Sequence, residues 1–471
     1  MTSSSPETRR IGNIRVRRER MRREVVRPGR RRRRWSFRPR PWMIPATFAV
    51  VIAIGAVVLM LPVSSQSGEW THPVDALFTS TSAVCVTGLV RFDTAEHWSA
   101  FGEAVIAVLL QAGGLGVTMY AGALLLIFGG RLGLRGREFF SMELSDVTEH
   151  DLVRLLRRVM LFTAAVELTA FLLLVPWFVV DGAGLGALWK ALFTSLSAFN
   201  NAGFDLQGGG TSFIGQASSP YLLLVLGTCA FLGSLSFLTA FNMRMPLRRW
   251  TLDTRLTAIG MFGFLGAGIV LLLLAEATRD GVLSGLHPVH QAVNAFFLSV
   301  MARTTGMSTV DLALLDDATA AALLLFMFVG GASTSTASGI KVGSFMVAMV
   351  ALHSALRGRR TASAFGREIP EAIVLRAIAV TIVGFFTLGA GVWLVGVTDD
   401  LDFLTVLFEV TSAFGNVGWS QGATPQLSHA GALVIVGLMF FGRLAPMYIA
   451  LSVPDRPITR YRYPRGSVRI G

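Results

Sequence analysis

Four stretches decide how this chain reads: VCVTGL at 84–89, FNNAGF at 199–204, ARTTGM at 302–307 and FGNVGW at 414–419. Each closes a unit in which a Phe is followed ten residues later by a Gly: Phe78 and Gly88, Phe193 and Gly203, Phe296 and Gly306, Phe408 and Gly418. The glycines stand 115, 103 and 112 residues apart. One such Gly would read as a turn or a helix contact. Four at the same offset read as an internal repeat.

The chain around them is apolar. Of 471 residues, 52% are hydrophobic and only 15% charged, against about 25% charge in soluble domains. A single soluble domain and a disordered chain are both excluded. Two cysteines, Cys85 and Cys229, cannot make a disulfide framework. Crossing the bilayer takes about 20 apolar residues. Eight runs qualify: 42–62, 101–128, 157–180, 220–242, 256–276, 319–352, 373–397 and 430–452. Four shorter apolar segments alternate with them, at 73–84, 188–199, 289–302 and 402–414. These fit re-entrant helices, which are tolerated only where protein or a water-filled cavity surrounds the irregular backbone.

The resulting expectation is an all-α polytopic membrane protein. It has four span–pore-loop–span repeats, hence eight transmembrane helices, in a pseudo-fourfold arrangement around one ion pore. The parts are a cytoplasmic Arg-rich tail (1–41), repeats at 42–128, 129–242, 243–352 and 353–452, and a cytoplasmic C-terminal tail (453–471).

Charge supports one orientation. Residues 1–40 hold 16 Arg and three Glu, which accounts for the whole formal charge of +13. The tail reads as a lipid-facing anchor that holds the N-terminus inside rather than a nucleic-acid patch. A cleaved signal peptide does not fit it. Arg131, Arg135, Arg137, Arg244, Arg248, Arg249, Arg255, Arg357, Arg359, Arg360 and Arg367 fall on the same side. The opposite side is acidic, with Asp75, Asp93, Glu96, Asp205, Asp311 and Asp399 among others. Both termini are expected in the cytoplasm. Only Lys190 and Lys341 are Lys, and that bias points to a GC-rich bacterial gene.

The chemistry follows from the loops. A short helix ending inside the membrane aims its negative dipole end at the axis. The strand after it turns carbonyls inward to replace an ion's hydration shell. Candidate lining residues are Val86, Thr87, Gly88, Asn201, Ala202, Gly203, Thr304, Thr305, Gly306, Asn416, Val417 and Gly418. No carboxylate lies among them, which favours a monovalent ion over Ca²⁺ or Mg²⁺.

Within 319–352 lies the run Gly330, Gly331, Ala332, Ser333, Thr334, Ser335, Thr336, Ala337, Ser338, Gly339. It is a poor continuous helix and reads as an intramembrane loop between two half-helices. Close helix packing is the rival. The phosphate-loop pattern G-x-x-x-x-G-K-[ST] is absent. Lys341 snorkels from its inner end or helps close the pore. Arg443, in the last span, either faces the cavity and slows cations or pairs with Glu167 or Glu409. Arg303 would hold the pore helices, with Glu409 as partner. Glu167 reads as a buried structural acid ahead of a proton relay. Gly113-Gly-Leu-Gly116 reads as helix packing rather than dinucleotide binding. No H-E-x-x-H, G-x-S-x-G or CxxC occurs, so the chain is not expected to be an enzyme. A polytopic enzyme acting on lipid remains the remote alternative.

The four loops resemble those of the Trk/Ktr/HKT superfamily of cation transporters, over nearly the whole chain after residue 41. With no spans expected before the first unit, the likeness is greatest to its Ktr membrane subunits (KtrB). The end of the chain, Arg462-Tyr-Pro with Val468-Arg-Ile-Gly471, resembles them too. The resemblance implies one pore per subunit and a homodimer with Gly471 at the contact. It also implies a cytosolic nucleotide-binding ring, KtrA/TrkA-like, docked beneath. ATP or ADP would bind that partner, and this chain would carry no cofactor. It implies a gate at 330–339 and a pore-facing role for Arg443. A Gly in all four loops goes with K⁺, whereas plant members with Ser in the first loop prefer Na⁺. The expectation is K⁺ uptake across the cytoplasmic membrane, with Na⁺ or poorly selective cation transport as the alternative. Asn200, Asn201, Thr304 and Trp419 depart locally from the family's pattern.

Overall fold

A computed structural model describes residues 42–116, 149–182, 184–210, 212–277 and 281–452. The Arg-rich tail, Arg131, Arg135, Arg137, the second half of the run at 101–128, and Gly471 with the rest of 453–471 lie outside the described residues.

Fifteen α-helices stand among the described residues. In chain order they are α1 (Met43–Met60), α2 (Pro73–Cys85), α3 (Thr94–His97), α4 (Ala100–Gly114), α5 (Glu149–Val180), α6 (Ala187–Asn200), α7 (Pro220–Ser234), α8 (Phe237–Met243), α9 (Leu252–Ala275), α10 (Pro288–Thr304), α11 (Asp317–Phe328), α12 (Val342–Leu356), α13 (Glu371–Thr398), α14 (Phe403–Gly415) and α15 (His429–Ser452). A two-residue hairpin, β1 (Ser363–Ala364) and β2 (Arg367–Glu368), was not expected from sequence. Phe365 and Gly366 at its tip have φ of +52° and +73°, the left-handed pair a tight hairpin turn requires.

Three helical segments are long and apolar enough to cross a membrane: Leu156–Val180, Leu252–Ala275 and Glu371–Thr398. The bent pair α7 and α8 would make a fourth. A continuous span at 220–242 is therefore corrected. The chain turns by 103° between α7 and α8. The cause is tertiary: Gly233 O and Ser234 O accept the N–H groups of Thr336 and Ala332, at 3.2 and 3.0 Å. Ser236 then opens a new helix by accepting the Thr239 N–H. The run at 319–352 breaks as expected, between α11 and α12.

Local signals place the short helices. His72 and His287 cap α2 and α10 with a ring nitrogen, each followed by Pro at the first helical position. Asp402 caps α14. Pro suits that position because its missing N–H would be unpaired anyway.

Polar groups are buried beside the apolar clusters of the core. Ser80, Thr81, Ser82, Thr87, Ser195, Ser197, Asn200 and Asn201 are fully buried. Meanwhile Leu168, Leu172, Phe385, Phe386, Trp393 and Val397 are exposed on the long helices α5 and α13. An apolar exterior suits a lipid surround. Glycines set the closest approaches. A Cβ on Gly113, Gly233 or Gly442 would stand 2.0, 1.8 or 1.9 Å from the carbonyl oxygen of Val84, Phe199 or Phe414. Each oxygen sits near the end of α2, α6 or α14, four residues before the repeat glycine. The Gly113-Gly-Leu-Gly116 stretch is thus a helix contact.

Gly233→Ala should destabilise the detergent-purified protein by about 1–3 kcal/mol through overpacking. Gly263→Ala, which meets nothing within 4 Å, should leave thermal unfolding unchanged. Equal transitions for both variants would contradict the close approach.

Candidate functional site

The site is built where four helices end. Val86, Asn201 and Asn416 follow α2, α6 and α14 in the left-handed conformation, with φ of +60°, +59° and +51°. The end of each helix closes in the same way. Thr87, Ala202 and Val417 donate back to Ser82, Ser197 and Ser412 carbonyls at 2.8–2.9 Å, the bonds of a helix-terminating αL turn. A β-branched Val in this region is a strained backbone. The third unit differs: α10 runs on to Thr304 and Thr305 has φ of −118°.

One or two residues on, Gly88, Gly203, Gly306 and Gly418 have φ of +90°, +75°, +72° and +97°, open to Gly and costly for other residues. A Cβ on Gly88 would lie 2.6 Å from Ala202 O. On Gly203 it would lie 2.3 Å from Thr305 O, and on Gly306 2.3 Å from Val417 O. On Gly418 it would lie 2.2 Å from Thr87 O. Each glycine thus abuts the carbonyl just before the next one. The contacts run 88 to 203 to 306 to 418 and back to 88. Of the twelve residues singled out from sequence, the four glycines and Thr87, Ala202, Thr305 and Val417 make these contacts, and Val86, Asn201, Thr304 and Asn416 stand at the helix ends before them.

Side chains hold the ring from outside. Ser82 Oγ and Ser412 Oγ accept the N–H of Gly88 and Gly418, both at 3.1 Å. Asn201 Oδ1 accepts Thr305 Oγ1–H at 2.7 Å and Thr304 Oγ1–H at 3.0 Å. Asn416 Nδ2 donates to Thr87 Oγ1 at 2.8 Å. Thr304, expected to line the ring, instead ends α10 and turns its hydroxyl to Asn201.

All four glycines also line one cleft of about 260 Å³, together with Asp93, Asp205 and Asp311. Burial pushes the Asp205 carboxyl up to about 6, opposed by hydrogen bonds from the Gln207 amide and the Ser212 hydroxyl.

The segment 329–341 packs directly behind the ring. Gly330 N–H donates to Ile340 O at 3.0 Å and Val342 N–H to Gly331 O at 2.9 Å, which ties its two ends together. Thr336 Oγ1 accepts from Asn201 Nδ2 at 2.6 Å and donates to Gly233 O at 2.8 Å. Arg443 reaches this segment. Its Nη1 donates to Thr336 O at 2.7 Å and Ser338 Oγ at 2.6 Å, and its Nη2 to Gly113 O at 2.5 Å. The acid pairs expected for the arginines are corrected. Arg303 donates to Gly330 O at 3.0 Å and lies 5.7 Å from the Phe264 ring centroid. Glu409 instead accepts from Ser420, the Gln421 N–H and Thr424. Glu167 accepts from Gln111 and Asn200. Lys341 Nζ donates to Ala337 O at 2.5 Å.

Sequence reasoning missed the serines at 82 and 412. Their signal was present: a Ser-Ala pair six and five residues before the glycine, a pattern the second unit shares at Ser197.

Residues 37–454 match the TrkH family of cation transport proteins. The chain is 34% identical over 93% of its length to Ktr system potassium uptake protein B of Bacillus subtilis, covering 98% of that protein. It is 32% identical over 91% of its length to potassium/sodium uptake protein NtpJ of Enterococcus hirae, covering 96% of that one. The crystal structure of the potassium transporter TrkH from Vibrio parahaemolyticus superposes with a TM-score of 0.66 at 18% identity, over 88% of this chain and 85% of that one. These relatives are transporters rather than enzymes. With a matched segment that takes in every glycine of the ring, the chain belongs to the TrkH family of cation transport proteins, as a multi-pass membrane protein of its Ktr and Trk relatives' kind.

Proposed function

We propose that the chain conducts K⁺ into the cell through the ring of Gly88, Gly203, Gly306 and Gly418. The observation that carries this reading is the closed sequence of glycine-to-carbonyl contacts, at 2.2–2.6 Å from the built Cβ positions. Only main-chain oxygen fits there, and carbonyl oxygen replaces the hydration of a monovalent cation. The ends of α2, α6, α10 and α14 add the negative side of four helix dipoles. The acid-lined cleft beyond them concentrates cations. The name of the Bacillus subtilis relative, a potassium uptake protein, supports the same ion. Movement is passive, driven by about 2.3 kcal/mol per charge per 100 mV.

In this reading the chain has four repeats and eight spans, and 1–41 and 453–471 face the cytoplasm. The segment 329–341 is the gate. Thr336 joins it to Asn201 and hence to the ring, and Arg443 fixes it to α4. A cytosolic nucleotide-binding partner moves that gate in a homodimer, and ATP or ADP binds the partner. A Na⁺ or mixed-cation transporter is the second reading, favoured by the potassium/sodium name of the Enterococcus hirae relative.

Rb⁺ and Na⁺ fluxes into proteoliposomes separate the two readings. Rb⁺ should exceed Na⁺ at least tenfold, and Gly88→Ser should cut Rb⁺ flux by an order of magnitude or more. Wild-type preference retained by Gly88→Ser would remove the ring from the ion path. Arg443→Ala should raise Rb⁺ flux severalfold without any partner. An unchanged flux would remove the gating role. Below pH 6 Asp205 takes up a proton and the cleft loses negative charge, so Rb⁺ uptake at low concentration should rise severalfold from pH 5 to pH 7. Asp205→Asn should flatten that profile.

A further inference from the structure

Away from the ring, two histidines far apart in sequence meet at the start of two helices. His72 caps α2, and His429 is the first residue of α15. Their rings stack with centroids 4.3 Å apart and planes 5° from parallel. The carboxylate of Asp75, in the first turn of α2, completes the group. One donor atom from each of the three lies within 4.8 Å of the others. Both histidines are exposed and Asp75 is buried. Asp75 Oδ1 accepts from Arg91 Nη1 at 2.5 Å, which holds the carboxylate in place.

We propose that His72, Asp75 and His429 form a binding site for a divalent transition cation of the Zn²⁺ class, bridging α2 to α15.

The donor chemistry selects this class. Two imidazoles and one carboxylate match Zn²⁺, Cu²⁺ or Ni²⁺. Ca²⁺ and Mg²⁺ take oxygen donors. The site is therefore separate in kind from the carbonyl ring. Zn–N near 2.0–2.1 Å and Zn–O near 2.0–2.2 Å put tetrahedral donors roughly 3.3 Å apart. The three donors must therefore close in by up to about 1.5 Å from the 4.8 Å limit, and side-chain rotation at two exposed histidines supplies it. Water completes the shell.

The histidine has a second duty that the metal would disturb. His72 Nδ1 accepts the Val74 N–H at 3.3 Å. A metal on Nδ1 takes that lone pair directly, and a metal on Nε2 moves the proton onto Nδ1. Either way the cap of α2 is exchanged for a bond to α15, and α2 is the helix that ends at Val86. The third repeat shows the cap without the site. His287 Nδ1 accepts the Val289 N–H at 3.4 Å in the same His-Pro-Val setting. Its neighbour there is His290 on the same helix, edge-on at 6.0 Å.

Zn²⁺ titrated by calorimetry into the tag-free full chain in detergent tests this, with Co²⁺ absorption as a second readout. The wild type should bind one equivalent and show a Co²⁺ ligand-field band. His429→Ala should weaken Zn²⁺ at least tenfold and abolish the band. His72→Asn keeps a capping acceptor and should do the same. His287→Ala should bind as the wild type. Undiminished Zn²⁺ affinity in His429→Ala and His72→Asn, or no Zn²⁺ binding by the wild type, would overturn the proposal. The readout needs no transport, so it stands or falls apart from the pore reading.

Discussion

Four helices that stop in the middle of an apolar body leave their last carbonyl groups with no turn to bond to. That constraint governs the rest. In water such groups would be solvated, and in hydrocarbon each would cost several kcal/mol. Here the ends are drawn together and their oxygens find partners: Cys85 O accepts from Ser338 Oγ at 3.3 Å and Phe199 O from Thr336 Oγ1 at 3.1 Å. The Val86, Asn201 and Asn416 turns close the last helical bonds. Ser82 and Ser412 take up the glycine N–H groups. The next carbonyl oxygens along the chain, those of Thr87, Ala202, Thr305 and Val417, stand against the glycines of the neighbouring loops.

The same constraint explains the buried polar groups. Hydroxyl and amide side chains gather behind the ring because its backbone must be braced by hydrogen bonds. Apolar side chains fill the clusters around them and also face outward, where α5 and α13 carry exposed Leu, Phe and Trp. Glycines at 113, 233 and 442 let three helices press against the ends of α2, α6 and α14. Those contacts leave no room for a methyl group, so the ring is held by backbone against backbone.

Much of this was legible in the sequence. The Phe-to-Gly spacing located all four helix ends, and the Gly-rich, hydroxyl-rich run at 330–339 located the break between α11 and α12. The break between α7 and α8 was not legible, because its cause is tertiary. Gly233 and Ser234 give their carbonyls to a segment a hundred residues later, and no local pattern records that debt. The partner of Arg303 was misjudged for a related reason. A search for acids overlooks main-chain oxygen, yet Arg303 donates to Gly330 O, and Arg443 likewise reaches Thr336 O and Gly113 O. Thr304 was counted with the lining strand because the third helix runs longer than the others. The serines at 82 and 412 were seen only as members of a polar helix, since their bonds to the glycines need the αL turn to exist first.

The amide-to-hydroxyl clasps do not fall evenly around the ring. Asn201 joins the second loop to the third, and Asn416 joins the fourth to the first. No clasp of that kind bridges the first loop to the second, or the third to the fourth, among the described residues. The other two joints are made differently: Trp419 Nε1 donates to Met307 O at 3.1 Å between the fourth and third loops, and the Gly209 and Gly210 N–H groups donate to Glu96 Oε1 and Asp93 Oδ2 at 3.0 and 2.5 Å between the second and first. Thr336 reaches one of the two amide clasps, at Asn201. The circumference is thus hydrogen-bonded at every joint, but by chemically unequal pairs, so no single kind of substitution would loosen all four alike.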